Sequence, residues 1–239
     1  MPASDESPRQ LRSAREVIGA WAAQPRRGVI FDFNGTLSDD EPVLLEIFTE
    51  LFARHLGWSM PPSEYYGRLA GRSDREIIDT VVAEQAPGDT VLARGLLRLR
   101  RELYREKVAR ASPITDAAVA LVRRLAASGI PLGIVTGAQR QDVLAVLDRS
   151  PAGEHITVLV SEEDVTEGKP DPEGFIRGAR ALGLSPGQIL VFEDSVPGIS
   201  AAAAAGMHCV AVAGTMGSAR LAEVTRAVVP RLDPALLDT

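Results

Sequence analysis

The chain has 239 residues, with 26 Lys and Arg against 32 Asp and Glu for a net charge of −6, and 45% of it is hydrophobic. That length buries about three quarters of the unfolded surface, enough for one large domain or a core domain with a smaller insertion. The negative balance argues against a general nucleic-acid binder, whose affinity comes from clustered Lys and Arg, and no apolar stretch approaches the roughly 20 residues of a membrane-spanning helix. The acidic, polar start Met1-Pro2-Ala3-Ser4-Asp5-Glu6-Ser7 reads as no targeting segment, and a cytoplasmic location is the default expectation. Cys209 is the only cysteine, so neither an intrachain disulfide nor a cysteine metal cluster is expected, and Met207-His208-Cys209-Val210-Ala211-Val212 reads as a buried strand.

Along the chain, residues 1–10 have the composition of a disordered segment, and Ser13 to Ala23 reads as a short amphipathic helix ending before Pro25-Arg26-Arg27-Gly28. Residues 1–27 are thus expected to form an N-terminal extension. The apolar run Gly28-Val29-Ile30-Phe31 predicts a buried strand over 28–33 that delivers Asp32-Phe33-Asn34-Gly35-Thr36 into a turn. From Glu41 to Arg110 the apolar spacing is helical almost throughout, first in Val43-Leu44-Leu45, Ile47-Phe48 and Leu51-Phe52, then in Ile77-Ile78 and Val81-Val82, then along Leu92 to Val108. At about 70 residues this block is too long for a connecting loop and reads as an inserted all-helical domain over 41–110. After Ser112-Pro113 the rhythm becomes helix 116–128, strand 130–136, helix 139–149, strand 156–160, helix 173–183, strand 188–193, helix 197–205 and strand 207–212, with Ala227-Val228-Val229-Pro230 as an edge strand. That alternation predicts an α/β protein, a doubly wound parallel sheet covered on both faces and built from residues 28–40 and 111–239.

Ligands of such sheets bind beyond the carboxyl ends of the strands. There the first strand supplies Asp32, the second Thr136-Gly137, the loop after the third Lys169, and the fourth Glu193-Asp194. Acidic groups, a hydroxyl, an ammonium and Gly-rich turns meeting at one edge would hold Mg²⁺ and a phosphoryl group. Lys169 stands out for another reason: 24 of the 26 cationic side chains are Arg, and only Lys107 and Lys169 are Lys. A Lys that persists against that bias suits a place needing a compact ammonium on a flexible stem.

These four pieces, in this order, resemble the haloacid dehalogenase (HAD) superfamily over Val29 to about Gly214. Phe31-Asp32-Phe33-Asn34-Gly35-Thr36-Leu37 is similar to its first motif, Ile134-Val135-Thr136-Gly137 to its second, Gly168-Lys169-Pro170 to its third, and Val191-Phe192-Glu193-Asp194-Ser195-Val196-Pro197-Gly198-Ile199 to its fourth. The insertion resembles the small helical cap of the phosphoglucomutase-like and phosphoglycolate-phosphatase-like branch, with Gly71-Arg72-Ser73-Asp74-Arg75-Glu76-Ile77-Ile78 like its substrate loop. The resemblance implies a Rossmann-like core and a Mg²⁺-dependent phosphatase of a small phosphorylated metabolite. It makes Asp32 the nucleophile of an aspartyl-phosphate, gives phosphate binding to Thr136, Gly137 and Lys169, and substrate contacts to Arg72 and Arg75. It gives metal binding to Asp32, the Asn34 carbonyl, Asp194 and Glu193, the last directly or through water. No nucleic-acid or membrane partner is expected, and monomer is the default state.

Asn34 departs from the pattern, since phosphatases of this superfamily usually have there a second Asp that protonates the leaving oxygen and then activates water. An amide cannot donate and recover a proton as a carboxylic acid does. The leaving group could need no proton, as in an acyl phosphate or anhydride; another acid such as Asp39, Asp40 or a substrate hydroxyl could substitute; or the chain could be a noncatalytic binding module or a trapped Asp→Asn form. An isomerase of the phosphoglucomutase type and a dehalogenase fit less well. A phosphonate hydrolase would need a cap lysine, for which Lys107 at the end of the insertion is poorly suited.

Overall fold

The computed structural model describes residues 12–214 and 217–238, so the disordered segment expected at 1–10 lies outside the described residues. Helix α1 (Ala14–Ala22) opens with a capping box between Ser13 and Glu16, and its Trp21 indole donates to the Gly28 carbonyl at 3.0 Å. Strand β1 (Gly28–Phe31) follows. It ends two residues before the expected position 33 because the chain turns back on itself there: the Gly35 N–H meets the Ser38 carbonyl at 2.8 Å and the Ser38 N–H meets the Phe33 carbonyl at 2.9 Å.

Between β1 and the second strand run α2 (Glu41–Leu56), the short α3 (Pro62–Glu64) with a π-helical turn at Tyr65–Leu69, α4 (Asp74–Gln85) and α5 (Thr90–Val108). The alternating part comprises α6 (Asp116–Ala127), β2 (Leu132–Val135), α7 (Arg140–Leu147), β3 (Ile156–Val160), α8 (Glu173–Ala181), β4 (Ile189–Glu193), α9 (Val196–Ala204) and β5 (His208–Val212). Then come α10 (Gly217–Leu221), the two-residue edge strand β6 (Val228–Val229) and a 3₁₀ turn at Pro234–Leu237. Among the described residues the six strands are all parallel in the order β3-β2-β1-β4-β5-β6, the doubly wound α/β sheet expected from the sequence.

Burial on both faces explains the unbroken apolar strands, because successive side chains of a strand point to opposite sides. Val29 and Phe31 of β1 and Leu190 and Phe192 of β4 enter one hydrophobic cluster; Ile30, Ile189 and Val191 enter the other. Phe31 and Phe192 stack with ring centroids 5.5 Å apart. The first cluster continues without a break through Leu44, Ile47 and Phe48 of α2 and Leu96 and Leu97 of α5, so the inserted helices share the core of the sheet. The chain winds outward from β1 through β2 to β3, then returns to β4 on the other side of β1. The carboxyl ends of β1 and β4 therefore flank the crevice where strand order reverses.

A buried charge network joins the insertion to the sheet layer. Arg100 on α5 is buried; its Nε lies 3.0 Å from Asp74 Oδ2 at the start of α4, its Nη1 bonds Asp142 on α7, and its guanidinium sits 4.5 Å from the Tyr104 ring centre. Burial pushes the Asp142 carboxyl up to about 6, against the pull of Arg100 and with the Asp74 charge adding to the rise. Removing Arg100 strands two buried carboxylates, so Arg100→Leu should lower the unfolding free energy by roughly 3–5 kcal/mol in urea titration. A carboxyl with a raised folded pKa stabilises most below its unfolded pKa, and that stability is lost as pH rises through the folded value. The urea midpoint of the native chain should therefore fall, relative to Asp142→Asn, as pH rises from about 4 to about 7.

Candidate active site

The turn after β1 and the carboxyl end of β4 bring three carboxylates together. Ligand oxygens of Asp32, Glu193 and Asp194, all buried, lie within 4.8 Å of one another. Lys169, from the loop after β3, sends its ammonium between two of them, bonding Asp32 Oδ1 and meeting Glu193 Oε2 at 2.7 Å. Glu193 is held at both ends: Oε1 accepts from the Asp194 and Ser195 N–H groups at 3.1 and 3.0 Å and from the Ser195 hydroxyl at 2.7 Å. Asp194 Oδ1 accepts from the Thr36 hydroxyl at 3.2 Å. The Thr136 Oγ1 accepts from the Ala138 N–H at 3.0 Å, which orients its hydroxyl at the end of β2.

Two close approaches depend on glycine. A Cβ at Gly198 would fall on the Glu193 carboxylate, and one at Gly214 would fall on the Gly35 carbonyl of the first turn. Ser195 caps α9 by accepting from the Gly198 N–H at 3.1 Å, so the helix end and the Glu193 carboxylate share one arrangement.

Charge explains the electrostatics. Burial raises the Asp32 carboxyl well above the usual carboxylate range; Glu193 and Asp194 push it further, while Lys169 opposes. Burial alone would loosen the Lys169 proton, but the Asp32 and Glu193 carboxylates outweigh it and strengthen the ammonium's hold. Three buried carboxylates against one ammonium leave surplus negative charge on hard oxygen donors, a set that fits a divalent cation such as Mg²⁺. Asp32, Asp194 and Glu193 could hold it, with Glu193 already occupied by Lys169 and the Ser195 turn.

The nine residues to which the family resemblance gives site roles line a single cavity of about 590 Å³: Asp32, Asn34, Thr136, Gly137, Lys169, Glu193 and Asp194 at the sheet edge, and Arg72 and Arg75 facing them from the insertion. Arg75 is largely exposed and reaches Glu162 at 3.8 Å, a weak pair. Lys107 does not line the cavity; its ammonium meets Glu46 at 2.6 Å, which removes the lysine that phosphonate chemistry would need. Asp39 is exposed and lies off the cavity wall, whereas Asp40 is buried behind Asn34, whose Nδ2 donates to it at 2.6 Å. Burial raises the Asp40 carboxyl, opposed by hydrogen bonds from Tyr104 and Asn34. Sequence reasoning missed Thr36, Ser195 and Glu162. For Ser195 a signal existed, a serine followed at two residues by Pro197, the pattern of a helix start.

A sequence profile described as haloacid dehalogenase-like hydrolase matches residues 27–206. Validoxylamine A 7′-phosphate phosphatase of Streptomyces hygroscopicus subsp. limoneus is 34% identical over 202 residues, covering 81% of this chain and 89% of that protein. Hexitol phosphatase A of Escherichia coli (strain K12) is 32% identical over 204 residues, covering 83% and 88%. Among solved structures, a mutant CbbY from Rhodobacter sphaeroides in complex with xylulose-(1,5)bisphosphate superposes with a TM-score of 0.77 at 25% identity, covering 87% of this chain and 95% of that one.

The surplus charge at the carboxylate cluster has a measurable consequence. Mg²⁺ at about 100 times its dissociation constant should stabilise the native chain by about 2.7 kcal/mol, read as a rise in Tm, and Asp194→Asn should lose most of that rise. An equal rise in both proteins would remove Asp194 from the metal site.

Proposed function

This chain belongs to the haloacid dehalogenase-like hydrolase family, and from that premise we propose that it is a Mg²⁺-dependent phosphatase of a small phosphorylated metabolite, acting through an aspartyl-phosphate on Asp32. The observation that carries the reading is the Asp32 carboxylate held against Lys169, with Glu193 and Asp194, on the wall of a cavity at the strand-order switch. The names of the relatives favour a phosphorylated sugar or polyol: one is a hexitol phosphatase, and CbbY holds a xylulose bisphosphate.

Phosphoryl transfer asks mainly for positioning and charge neutralisation. Asp32 attacks the phosphorus in line with the leaving oxygen. The Thr136 hydroxyl and Gly137 N–H bind phosphoryl oxygens, and Lys169 offsets charge on the nucleophile and on the transferring group. Bound Mg²⁺ would add further neutralisation of that charge. Water then cleaves the aspartyl-phosphate and restores Asp32. Residues 41–110 act as a helical cap, with Arg72 and Arg75 meeting the rest of the substrate. Asn34 supplies no acid, and the absence of a positioned acid–base group lowers rates on poor leaving groups by about 10²–10⁴. That amide also favours a second reading, a phosphometabolite-binding module with little turnover.

Phosphate release across a panel of phosphate esters and acyl phosphates, with and without Mg²⁺, separates the two. The phosphatase reading expects metal-dependent release that Asp32→Asn reduces by about 10³-fold or more. Binding of inorganic phosphate in calorimetry with no release from any substrate would establish the binding module instead.

A further inference from the structure

The direction of one hydrogen bond decides what stands beside Asp32. Asn34 Nδ2 donates to Asp40 Oδ2 at 2.6 Å, and the hydroxyl of buried Tyr104 donates to the same oxygen. The Tyr104 ring is in turn held against the Arg100 guanidinium, 4.5 Å from the ring centre. With the Tyr104 hydroxyl also donating to it, Asp40 Oδ2 serves as an acceptor, so turning the Asn34 amide over would set two acceptor oxygens against each other in a buried setting. One Nδ2 proton is therefore committed to Asp40, which leaves Oδ1 as the side chain's acceptor, beside the second N–H, for the cavity whose wall Asn34 shares with Asp32.

We infer that Asp40 is a positioning residue that presents Asn34 to the reaction as a hydrogen-bond acceptor, and that the substrates are phosphoric anhydrides such as acyl phosphates, whose leaving oxygen departs without a proton. The inference rests on the phosphatase reading above and departs from it in the leaving group, an acyl oxygen in place of the sugar or polyol oxygen that the names of the relatives favour. An Asp32 oxygen bonds to phosphorus as the bond from phosphorus to the leaving oxygen breaks, and the electron pair goes to a carboxylate that needs no proton. Water then bonds to phosphorus, the bond to Asp32 breaks and returns its pair to the carboxylate, and one water proton passes to the released phosphate. Asn34 Oδ1 orients that water by accepting a hydrogen bond and takes no proton. Arg72 and Arg75, facing Asn34 across the cavity from the insertion, are suited to an anionic leaving group such as a carboxylate.

The test compares the native chain, Asn34→Asp, and the exchange of Asn34→Asp together with Asp40→Asn, on acetyl phosphate, phenyl phosphate and glycerol 3-phosphate. The native chain should favour acetyl phosphate over glycerol 3-phosphate by about 10²-fold or more in kcat/KM. The double exchange should shrink that ratio by about tenfold or more, because an amide at 40 then donates to an acid at 34. It should also exceed Asn34→Asp alone, where two adjacent carboxyls compete for one proton. A native ratio near one, or a single variant equal to the double, overturns the inference. A readout independent of turnover comes from the side-chain amide protons of Asn34, identified by NMR through their loss in Asn34→Asp. One of them should be shifted downfield and protected from exchange in the native chain, and an unprotected pair overturns the inference. A protected amide in a chain that releases phosphate from no substrate leaves Asp40's hold on Asn34 standing and removes the phosphatase reading.

Discussion

The site depends on one ammonium set among three buried carboxylates. Lys169 touches Asp32 and Glu193 at once, and these two come from neighbouring strands whose ends would otherwise repel each other. Pairing β1 with β4 over Gly28 to Phe31 fixes where the two acids emerge, and the stacked Phe31 and Phe192 rings beneath them hold the strand ends in register. Burial makes each charge more demanding of a partner. That demand accounts for the crowd of donors around Glu193.

The second constraint is set away from the cavity. Arg100 lies among carboxylates from α4 and α7 and against Tyr104, and Tyr104 reaches Asp40, which holds Asn34. A side chain on the cavity wall is thus fixed by a run of buried contacts that begins on the inserted helices. Such networks are demanding, since a group that loses its partner in the interior has no water to replace it.

Much of this was legible in the sequence. The apolar runs and their alternation with helical spacing predicted the parallel sheet, and the residues at the strand ends marked the cavity; the scarcity of lysine pointed to Lys169. The buried network was hidden for a physical reason. Asp74, Arg100 and Asp142 stand on three helices, and a charged residue on a helix is ordinarily solvated, so nothing local in the chain announces that these three meet. Asp40 is only six residues from Asn34, yet the bond between them exists because the first turn folds back through Gly35 and Ser38, a detail beyond any periodicity. Strand β1 likewise stops at Phe31 because that turn, and not hydrophobicity, ends it.

The contact between Gly198 and Glu193 also limits how such a sequence can drift. Because any side chain at 198 would occupy the volume of the Glu193 carboxylate, position 198 cannot change while Glu193 is in place. A larger residue at 198 becomes acceptable only in a background where 193 has already shortened, and shortening 193 first abandons Lys169 and the Ser195 turn. Each single step is unfavourable while the pair together is open, so descendants of this chain are expected to keep both residues or to replace both.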